Sequence, residues 1–162
     1  MDTFITWLQA TRLSQAIVYN TWVWPACETL HFIGLALIIG SVGFFDLRLI
    51  GFFRRVSVSA ARELMPIAIA GFALNLSTGL VFLIGHPEQY AHNIAFWYKV
   101  GSLALAGLNA AIFEMWVGAR TVHLAAGDDT PLSAKAIGVV SIVAWFSVLV
   151  WGRMLPFIGN AF

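Results

Sequence analysis

Four long runs of apolar residues constrain this chain more than any other feature of its sequence. They cover residues 22–45, 64–85, 94–119 and 134–156. A helix needs about 20 mostly apolar residues to cross a hydrocarbon layer of about 30 Å, and each run is long enough. The two-residue alternation of a membrane β-barrel is absent. The sequence therefore predicts an all-α integral membrane protein, a bundle of four transmembrane helices.

The composition agrees with the lipid bilayer as the main partner. Of the 162 residues, 60% are hydrophobic and 10% charged, whereas soluble domains have about 25% charged residues. A formal net charge of only +1 argues against nucleic-acid binding. One cysteine, Cys27, excludes a scaffold held by several disulfides within the chain. We expect residues 1–162 to form a single membrane domain.

Residues 2–20 differ from the four apolar runs. Phe4, Ile5 and Leu8 alternate with polar residues such as Gln9 and Arg12. The stretch lacks the basic start and small-residue cleavage site of a signal peptide. It predicts an amphipathic helix lying in the membrane interface.

The basic residues predict the orientation of the bundle. The first and third connections carry six, and the opposite side carries three, two of which are inside helix ends. Because basic residues accumulate on the cytoplasmic side, both termini should lie outside the cytoplasm. For a bacterial inner membrane, that is the periplasm. The six are Arg48, Arg54, Arg55, Arg62, Arg120 and Lys135, and the three are Arg12, Lys99 and Arg153.

Ionisable residues within the apolar runs are the main functional signal, because burying them in a bilayer is costly. Glu28 and His31 are three positions apart, so on a helix they share a stripe with Trp24. One interpretation is a cofactor or metal site in which His31 is the ligand and Glu28 supports it. The alternative is a structural hydrogen bond between Glu28 and His31 that ties helices together.

A second polar stripe follows the third run. Lys99, Ser102 and Asn109 fall on one helix face. That face could line a cofactor pocket. Alternatively, Lys99 extends to the interface while Ser102 and Asn109 hold helices together. Asn75, Ser77 and Thr78, in the second run, are interpreted as packing residues.

Four further positions are candidates with two interpretations each. Arg48, expected just after the first helix beside Asp46, could bind an anionic group or mark the interface, and so could Arg153. His86, on a loop with His92, could be a second or metal-collecting ligand, or an exposed loop histidine without a functional role. Glu114 is expected to pair with an arginine of a neighbouring loop, and proton transfer is its second interpretation.

The order of these motifs resembles a family of small bacterial inner-membrane proteins of uncharacterised function. The resemblance lies in Glu28-x-x-His31, Asp46-Leu47-Arg48-Leu49, Phe96-x-x-Lys99, Gly107-Leu108-Asn109 and Gly152-Arg153. More distantly, the chain is similar to the copper-resistance D-type membrane domain and to the four-helix membrane protoporphyrinogen oxidase. In that oxidase the corresponding histidine binds haem b, which implies a haem or metal site at His31. Its Pro-Arg-Leu segment is replaced here by Asp46-Leu47-Arg48, and Tyr98 precedes Lys99 where the oxidase has a histidine two residues earlier; both departures argue against the protoporphyrinogen reaction.

Three functions remain open from the sequence. The first is a b-type haem protein that transfers electrons, with a quinone or porphyrin as substrate and His31 as axial ligand. The second handles copper or another metal through His31 and His86. The third is a structural or assembly subunit. In the first two, His31 is expected to be the deepest ligand of a pocket in the outer half of the bundle. The small residues Gly101, Ala104, Gly107 and Ala110 further suggest a homo-oligomer.

Overall fold

The computed structural model describes residues 2–158, and these residues form helices and short connections without a β-strand. The helices are α1 (Asp2–Gln9), α2 (Arg12–Tyr19), α3 (Val23–Ile50), α4 (Val58–Arg62), α5 (Met65–Gly85), α6 (Pro87–Ala91), α7 (Ile94–Ile112), α8 (Gly118–Thr121) and α9 (Leu132–Met154). A π-helical turn, Phe113–Val117, joins α7 to α8. Four helical segments, built around α3, α5, α7 and α9, are long and apolar enough to cross a membrane. The predicted all-α fold with four such helices is confirmed.

The first long helix ends later than the sequence predicted. It was expected to end near residue 45, but α3 continues to Ile50, so Asp46 and Arg48 lie within its last turns. Gly51 ends α3 with a φ of 112°, and its N–H donates to the carbonyls of Leu47 and Arg48. Glycine reaches this left-handed conformation without the steric cost of a Cβ. The apolar pattern predicts a helix end before Asp46 because charged residues usually lie outside an apolar helix. Here both charged side chains are buried within it.

The amphipathic start of the chain forms two helices instead of the one predicted. α1 ends at Gln9, and α2 begins at Arg12, where the Thr11 hydroxyl accepts a hydrogen bond from the Ser14 N–H at 3.2 Å. Threonine at a helix start satisfies an N–H that the helix itself leaves free. Ile17 of α2 lies against Gly85 of α5. The two helices therefore cover one end of the bundle.

The long helices form an open arc in the order α5, α3, α9, α7. α3 packs against both α5 and α9, and α7 packs against α9. α5 and α7, at the two ends of the arc, do not pack along each other. We call the end of the bundle that carries α6 the α6 end, and the opposite end, which carries α4 and α8, the α4 end.

Glycines bring the backbones of neighbouring helices into direct contact. A Cβ at Gly34 of α3 would lie 2.8 Å from the carbonyl oxygen of Gly71 in α5, and one at Gly71 would lie 2.8 Å from that of Gly34. At the α4 end, a Cβ at Gly138 of α9 would lie 2.9 Å from the Asp46 carbonyl oxygen. Distances below 3.0 Å leave no room for a side chain. α3 is thus fixed against a helix on each side.

Buried polar groups close the α4 end. The Arg48 side chain is fully buried and donates to the backbone carbonyls of Val56, Ala125 and Asp128. Thr130 donates to the Leu49 carbonyl oxygen. Arg62, at the end of α4, forms an ion pair with Glu114 in the π-helical turn, which confirms the pairing predicted for Glu114. The third apolar run was expected as a continuous helix, and this turn is a departure that its sequence did not reveal.

The contact between Gly34 and Gly71 makes a prediction about stability. Gly71→Ala should lower the free energy of unfolding by about 1–3 kcal/mol, because the added methyl group meets a backbone oxygen that cannot move alone. Gly40→Ala is the matched control, since nothing lies within 4 Å of a Cβ there. It should be neutral or raise stability by about 0.5–1 kcal/mol, because alanine favours a helix. Thermal unfolding in detergent measures both, and equal effects would contradict the close contact.

Candidate functional site

A cavity of about 750 Å³ lies between the four long helices towards the α6 end. Its walls are mostly apolar side chains such as Phe32, Leu35 and Ile38 of α3. Its polar side chains come from five helices and include one acidic and two basic groups. They are Glu28, His31, Asn75, Gln89, Tyr90, Lys99 and Arg153. A pocket with mostly apolar walls and a few polar groups is the usual form of a small-molecule or cofactor site.

The hydrogen bonds of His31 fix the state of its ring. Its Nδ1 lies 2.8 Å from the Thr78 hydroxyl oxygen. That hydroxyl is also 2.8 Å from the Leu74 carbonyl oxygen, which can only accept, so it donates there. Thr78 then accepts from Nδ1–H of His31. On this assignment the proton is on Nδ1, and the lone pair of Nε2 is left for a ligand.

The surroundings of the His31 ring restrict it to one place. The Phe82 ring packs against it at 5.6 Å between centroids. Gly79 of α5 faces its Cε1 atom, which a Cβ on that glycine would approach to 4.0 Å. The ring is only partly buried, and it lines the cavity. His31 is therefore an oriented, accessible imidazole in an apolar setting.

Lys99 reaches the same cavity from α7 along the surface of α9. A Cβ on Gly152 would lie 3.6 Å from the Lys99 Nζ and 3.7 Å from its Cε. The absence of a side chain at Gly152 therefore leaves space for the lysine. Arg153, the next residue of α9, also lines the cavity, and its guanidinium lies 4.9 Å from the centroid of the Phe157 ring. Two cations thus stand on the α9 side of the cavity.

Helix α6 covers the α6 end of the cavity with Gln89 and Tyr90. Burial, together with the nearby negative charge of Glu28, raises the pKa of Tyr90 from 10.0 to about 12. The phenol is therefore neutral at physiological pH and can donate a hydrogen bond. Glu28 and Tyr90 place an acceptor and a donor near each other at this end.

Five of the residues selected from the sequence line this cavity: Trp24, Glu28, His31, Lys99 and Arg153. The sequence paired Glu28 with His31, but within residues 2–158 no hydrogen bond joins them, and Thr78 is the partner of His31 instead. At three residues apart on α3, both side chains face the cavity without meeting. Lys99 lies in the cavity wall, as the first interpretation of its stripe expected.

Three of the selected residues lie elsewhere. Asn109 is buried and donates to the Ile137 carbonyl oxygen of α9 at 3.1 Å, which is the packing role given as its alternative. Arg48 holds the loops of the α4 end. His86 packs edge-on against the Trp24 ring, 5.2 Å between centroids, and does not line the cavity. His92 instead approaches Asp2, with 3.3 Å between Nε2 and the carboxylate.

The histidines do not converge on a common point. Across the part of the chain that the structure describes, no three His, Cys, Asp or Glu side chains are grouped so that they could hold a metal ion. His31 stands in the cavity, while His86 and His92 have other partners. Of these three histidines, His31 is therefore the one whose position allows it to bind a ligand in the cavity.

Asn75, Thr78, Gln89 and Tyr90 are polar site residues that the sequence did not reveal. The sequence analysis interprets Asn75 and Thr78 as packing residues, and Thr78 lies 47 positions from His31, so no local spacing links Thr78 to His31. Gln89 and Tyr90 lie on a short helix that the sequence suggested only as a loop. The one sequence feature that could have pointed to Thr78 is its hydroxyl group within an apolar run. Ser77 shares this feature, although its side chain lies on a different face of the helix.

The fold and the site together define a class: an α-helical protein with four helices long enough to cross a membrane and a cavity served by one oriented histidine. No protein-family model, curated protein or solved structure matches the chain. The resemblances noted in the sequence therefore stay predictions, and the cavity is the feature of the structure that bears on function.

The pKa of Tyr90 gives a prediction for the α6 end of the cavity. Glu28→Gln should lower this pKa only part of the way towards 10, because the neutral amide no longer opposes a negative phenolate while burial, the larger cause of the shift, remains. Glu88→Gln is the control: it removes a carboxylate from the same helix that does not contribute to the shift. Absorbance titration of the tyrosinate between pH 9 and about 12.5, with Tyr90→Phe to assign the step, measures the pKa. A Tyr90 step that does not move in Glu28→Gln would contradict the contact.

Proposed function

We propose that this chain is a membrane b-type haem-binding protein that takes part in electron transfer or redox chemistry within the bilayer. The observation that carries the proposal is the state of His31. Its Nδ1–H is bound by Thr78, so Nε2 is free as an axial ligand in an apolar cavity. A hydrogen bond on the second nitrogen is the usual way in which proteins orient a metal-binding imidazole.

The cavity residues fit haem b in three further respects. The volume, about 750 Å³, falls within the range of ligand pockets. The aromatic and aliphatic walls suit the apolar faces of a porphyrin. Lys99 and Arg153 supply cations for propionate groups. Bound haem would supply a carrier for single electrons.

The residues of this chain would each have a distinct part. His31 would hold the iron, and Thr78 would keep the imidazole in the tautomer that leaves Nε2 available. Phe82 restricts rotation of the ring. Glu28 and Tyr90 would offer a hydrogen-bond acceptor and a donor to the ligand at the α6 end. A quinone or a porphyrin is the substrate class proposed for this chemistry.

The membrane location belongs to the same proposal. We place the chain in a bacterial inner membrane as a multi-pass protein, with both termini and the α6 end on the periplasmic side. The supports are the four apolar helices and the excess of basic residues at the α4 end. α1 and α2 would lie in the interface, where their exposed Phe4, Trp7 and Tyr19 side chains would meet lipid headgroups.

A second copy of the chain is a further proposed partner. Gly101 and Gly107 of α7 face open space, since nothing from the other helices lies within 4 Å of where a Cβ would stand. A neighbouring helix could therefore approach closely there. Ala104 and Ala110 of the same helix are also exposed. The oligomer is independent of the haem proposal, because none of these four residues lines the cavity.

Two other functions stay as predictions. Copper would need His31 with ligands from outside the cavity residues, since His86 packs against Trp24. A purely structural or assembly role would leave the cavity without a cofactor. Colour and metal content separate the three. A Soret band supports haem, stoichiometric copper without colour from haem supports the second, and neither supports the third.

The absorption spectrum of the purified protein tests the haem proposal. The wild-type chain in mild detergent should show a Soret band that shifts on addition of dithionite. His31→Ala should lose the band because it removes the proposed axial ligand. His123→Ala should keep it, since His123 is exposed near the α4 end. Retention in the first variant with loss in the second would place the site at the wrong end of the bundle.

The hydrogen bond to Thr78 makes a separate prediction. Thr78→Val keeps the shape but removes the acceptor for Nδ1–H of His31, which makes the imidazole a weaker electron donor. The midpoint potential of the haem should therefore rise, while haem content falls little. Ser77→Ala removes a comparable hydroxyl, bonded to the Ala73 carbonyl oxygen, and should leave the potential unchanged. Equal haem midpoint potentials in Thr78→Val and the wild type would show that Thr78 does not influence the ligand.

Reporter fusions test the orientation. A periplasm-active reporter joined to the C-terminus should be active, and the same reporter in the connection at residues 122–131 should be inactive, because that connection lies at the basic α4 end. A cytoplasm-active reporter should give the opposite pattern. Activity of the C-terminal fusion only with the cytoplasmic reporter would contradict the proposed topology.

A further inference from the structure

One side of the cavity lies between α5 and α7, and the proposed function does not by itself require that side to be open. These two helices stand at the ends of the arc and do not pack along each other. Four of the cavity side chains that they contribute are exposed: Phe72 at 42%, Leu76 at 54% and Leu80 at 48% on α5, and Val100 at 38% on α7. On this side, therefore, apolar side chains and not packed helices separate the cavity from the surroundings.

The other sides of the cavity lie between helices that pack against each other. α3 is in contact with α5 through Gly34 and Gly71, and at the α4 end with α9 through Gly138. α9 packs against α7. The α4 end is filled by the buried cluster around Phe45, Leu49 and Phe113. On the α3 side, the cavity side chain Phe32 is also exposed, at 62%, but it stands on a helix that packs against both neighbours.

The α6 end is covered and held in place. Gln89 and Tyr90 line the cavity there. α1 packs on α6, with His92 close to Asp2. The buried Asn93 amide donates to the carbonyl oxygens of Leu155 and Ile158, at 3.0 and 2.7 Å, which ties the start of α7 to the end of α9. The cover is therefore fixed from both sides, whereas within residues 2–158 no hydrogen bond or ion pair joins α5 to α7.

We infer that the cavity takes its ligand sideways from the lipid phase, through the gap between α5 and α7 that Leu76, Leu80 and Val100 border. The inference rests on the proposed membrane location and on this cavity as the working site, but not on haem as the ligand. Within a bilayer, the apolar side chains of this opening meet hydrocarbon at no cost, whereas water would oppose their exposure.

The distribution of polarity indicates the class of ligand. The charged groups Glu28, Lys99 and Arg153 lie towards the α6 end, and the opening is bordered by apolar side chains. A suitable ligand is an amphiphile, with a polar or anionic edge towards Lys99 and Arg153 and an apolar body towards the gap. Haem, with its propionate edge, and a quinone with a hydrocarbon tail share this chemistry.

The first experiment tests the opening without a ligand. In a Cys27→Ser background, a nitroxide label is placed at Leu103→Cys, in the cavity wall, and at Leu108→Cys, an exposed position of α7. In lipid vesicles, collisions are measured with oxygen, which dissolves in lipid, and with a water-soluble nickel chelate. We expect oxygen to reach both labels to a similar extent, and the chelate to reach neither. A cavity label that the chelate reaches several-fold more often than Leu108→Cys would overturn the side opening.

The second experiment identifies the ligand and tests its route. Hemin and decylubiquinone are each supplied in vesicles to Leu80→Trp, which narrows the opening, and to Val143→Trp, the matched control on the exposed face of α9. Whichever probe binds should load about tenfold more slowly into Leu80→Trp, as a barrier higher by about 1.36 kcal/mol would produce, when each loading rate is normalised to the final amount bound by that variant. Equal loading rates in the two variants would overturn the route.

The two experiments fail separately. If neither hemin nor decylubiquinone binds the wild-type chain, the proposed haem and quinone chemistry is wrong, and the nitroxide result still decides whether the opening exists. If hemin binds at equal rates in both variants while the chelate reaches Leu103→Cys, the haem proposal stands and the lipid route is wrong.

Discussion

The position of α3 between α5 and α9 is the constraint on which the rest of the structure depends. Backbone contacts at Gly34 and Gly71 on one side, and at Gly138 on the other, set the spacing of these three helices. Among the long helices of residues 2–158, α7 packs along α9 and not along α5. The arc, the cavity inside it and the gap at its open side all follow from these contacts. Close approach at small residues is effective within a bilayer, where dispersion contacts hold helices together and burial from water does not.

The two ends of the bundle use their polar residues differently. At the α4 end, the guanidinium of Arg48 meets backbone carbonyls of two connections, and Arg62 pairs with Glu114. On the surface nearby, the hydrogen bond from Lys135, with the charge of Arg54, holds the pKa of Asp129 below its usual range. At the α6 end the cations Lys99 and Arg153 face a cavity and have no carboxylate partner within ion-pair distance among residues 2–158. The first arrangement stabilises connections, and the second leaves charge available to a ligand.

The hydrogen bond between His31 and Thr78 joins the fold to the proposed function. It crosses from α3 to α5 one helical turn or two from the Gly34–Gly71 contact, so the spacing that the glycines impose also brings the hydroxyl within reach of Nδ1. A wider separation of the two helices would leave the imidazole free to rotate. The packing of small residues and the orientation of the ligand are therefore two results of one helix pair.

The sequence by itself determined the elements: four apolar helices, an amphipathic start, and the residues Trp24, Glu28, His31, Lys99 and Arg153 that line one cavity. Helical length and the high cost of charge in apolar runs are local properties, so they can be read along the chain. Only the tertiary structure decided the partners. It joined His31 to Thr78 instead of Glu28, moved Arg48 and Asn109 out of the site, and left α5 and α7 apart. These outcomes depend on how closely two backbones approach and how the helices are rotated about their axes. Residues 47 positions apart, such as His31 and Thr78, acquire that relation only when the helices pack.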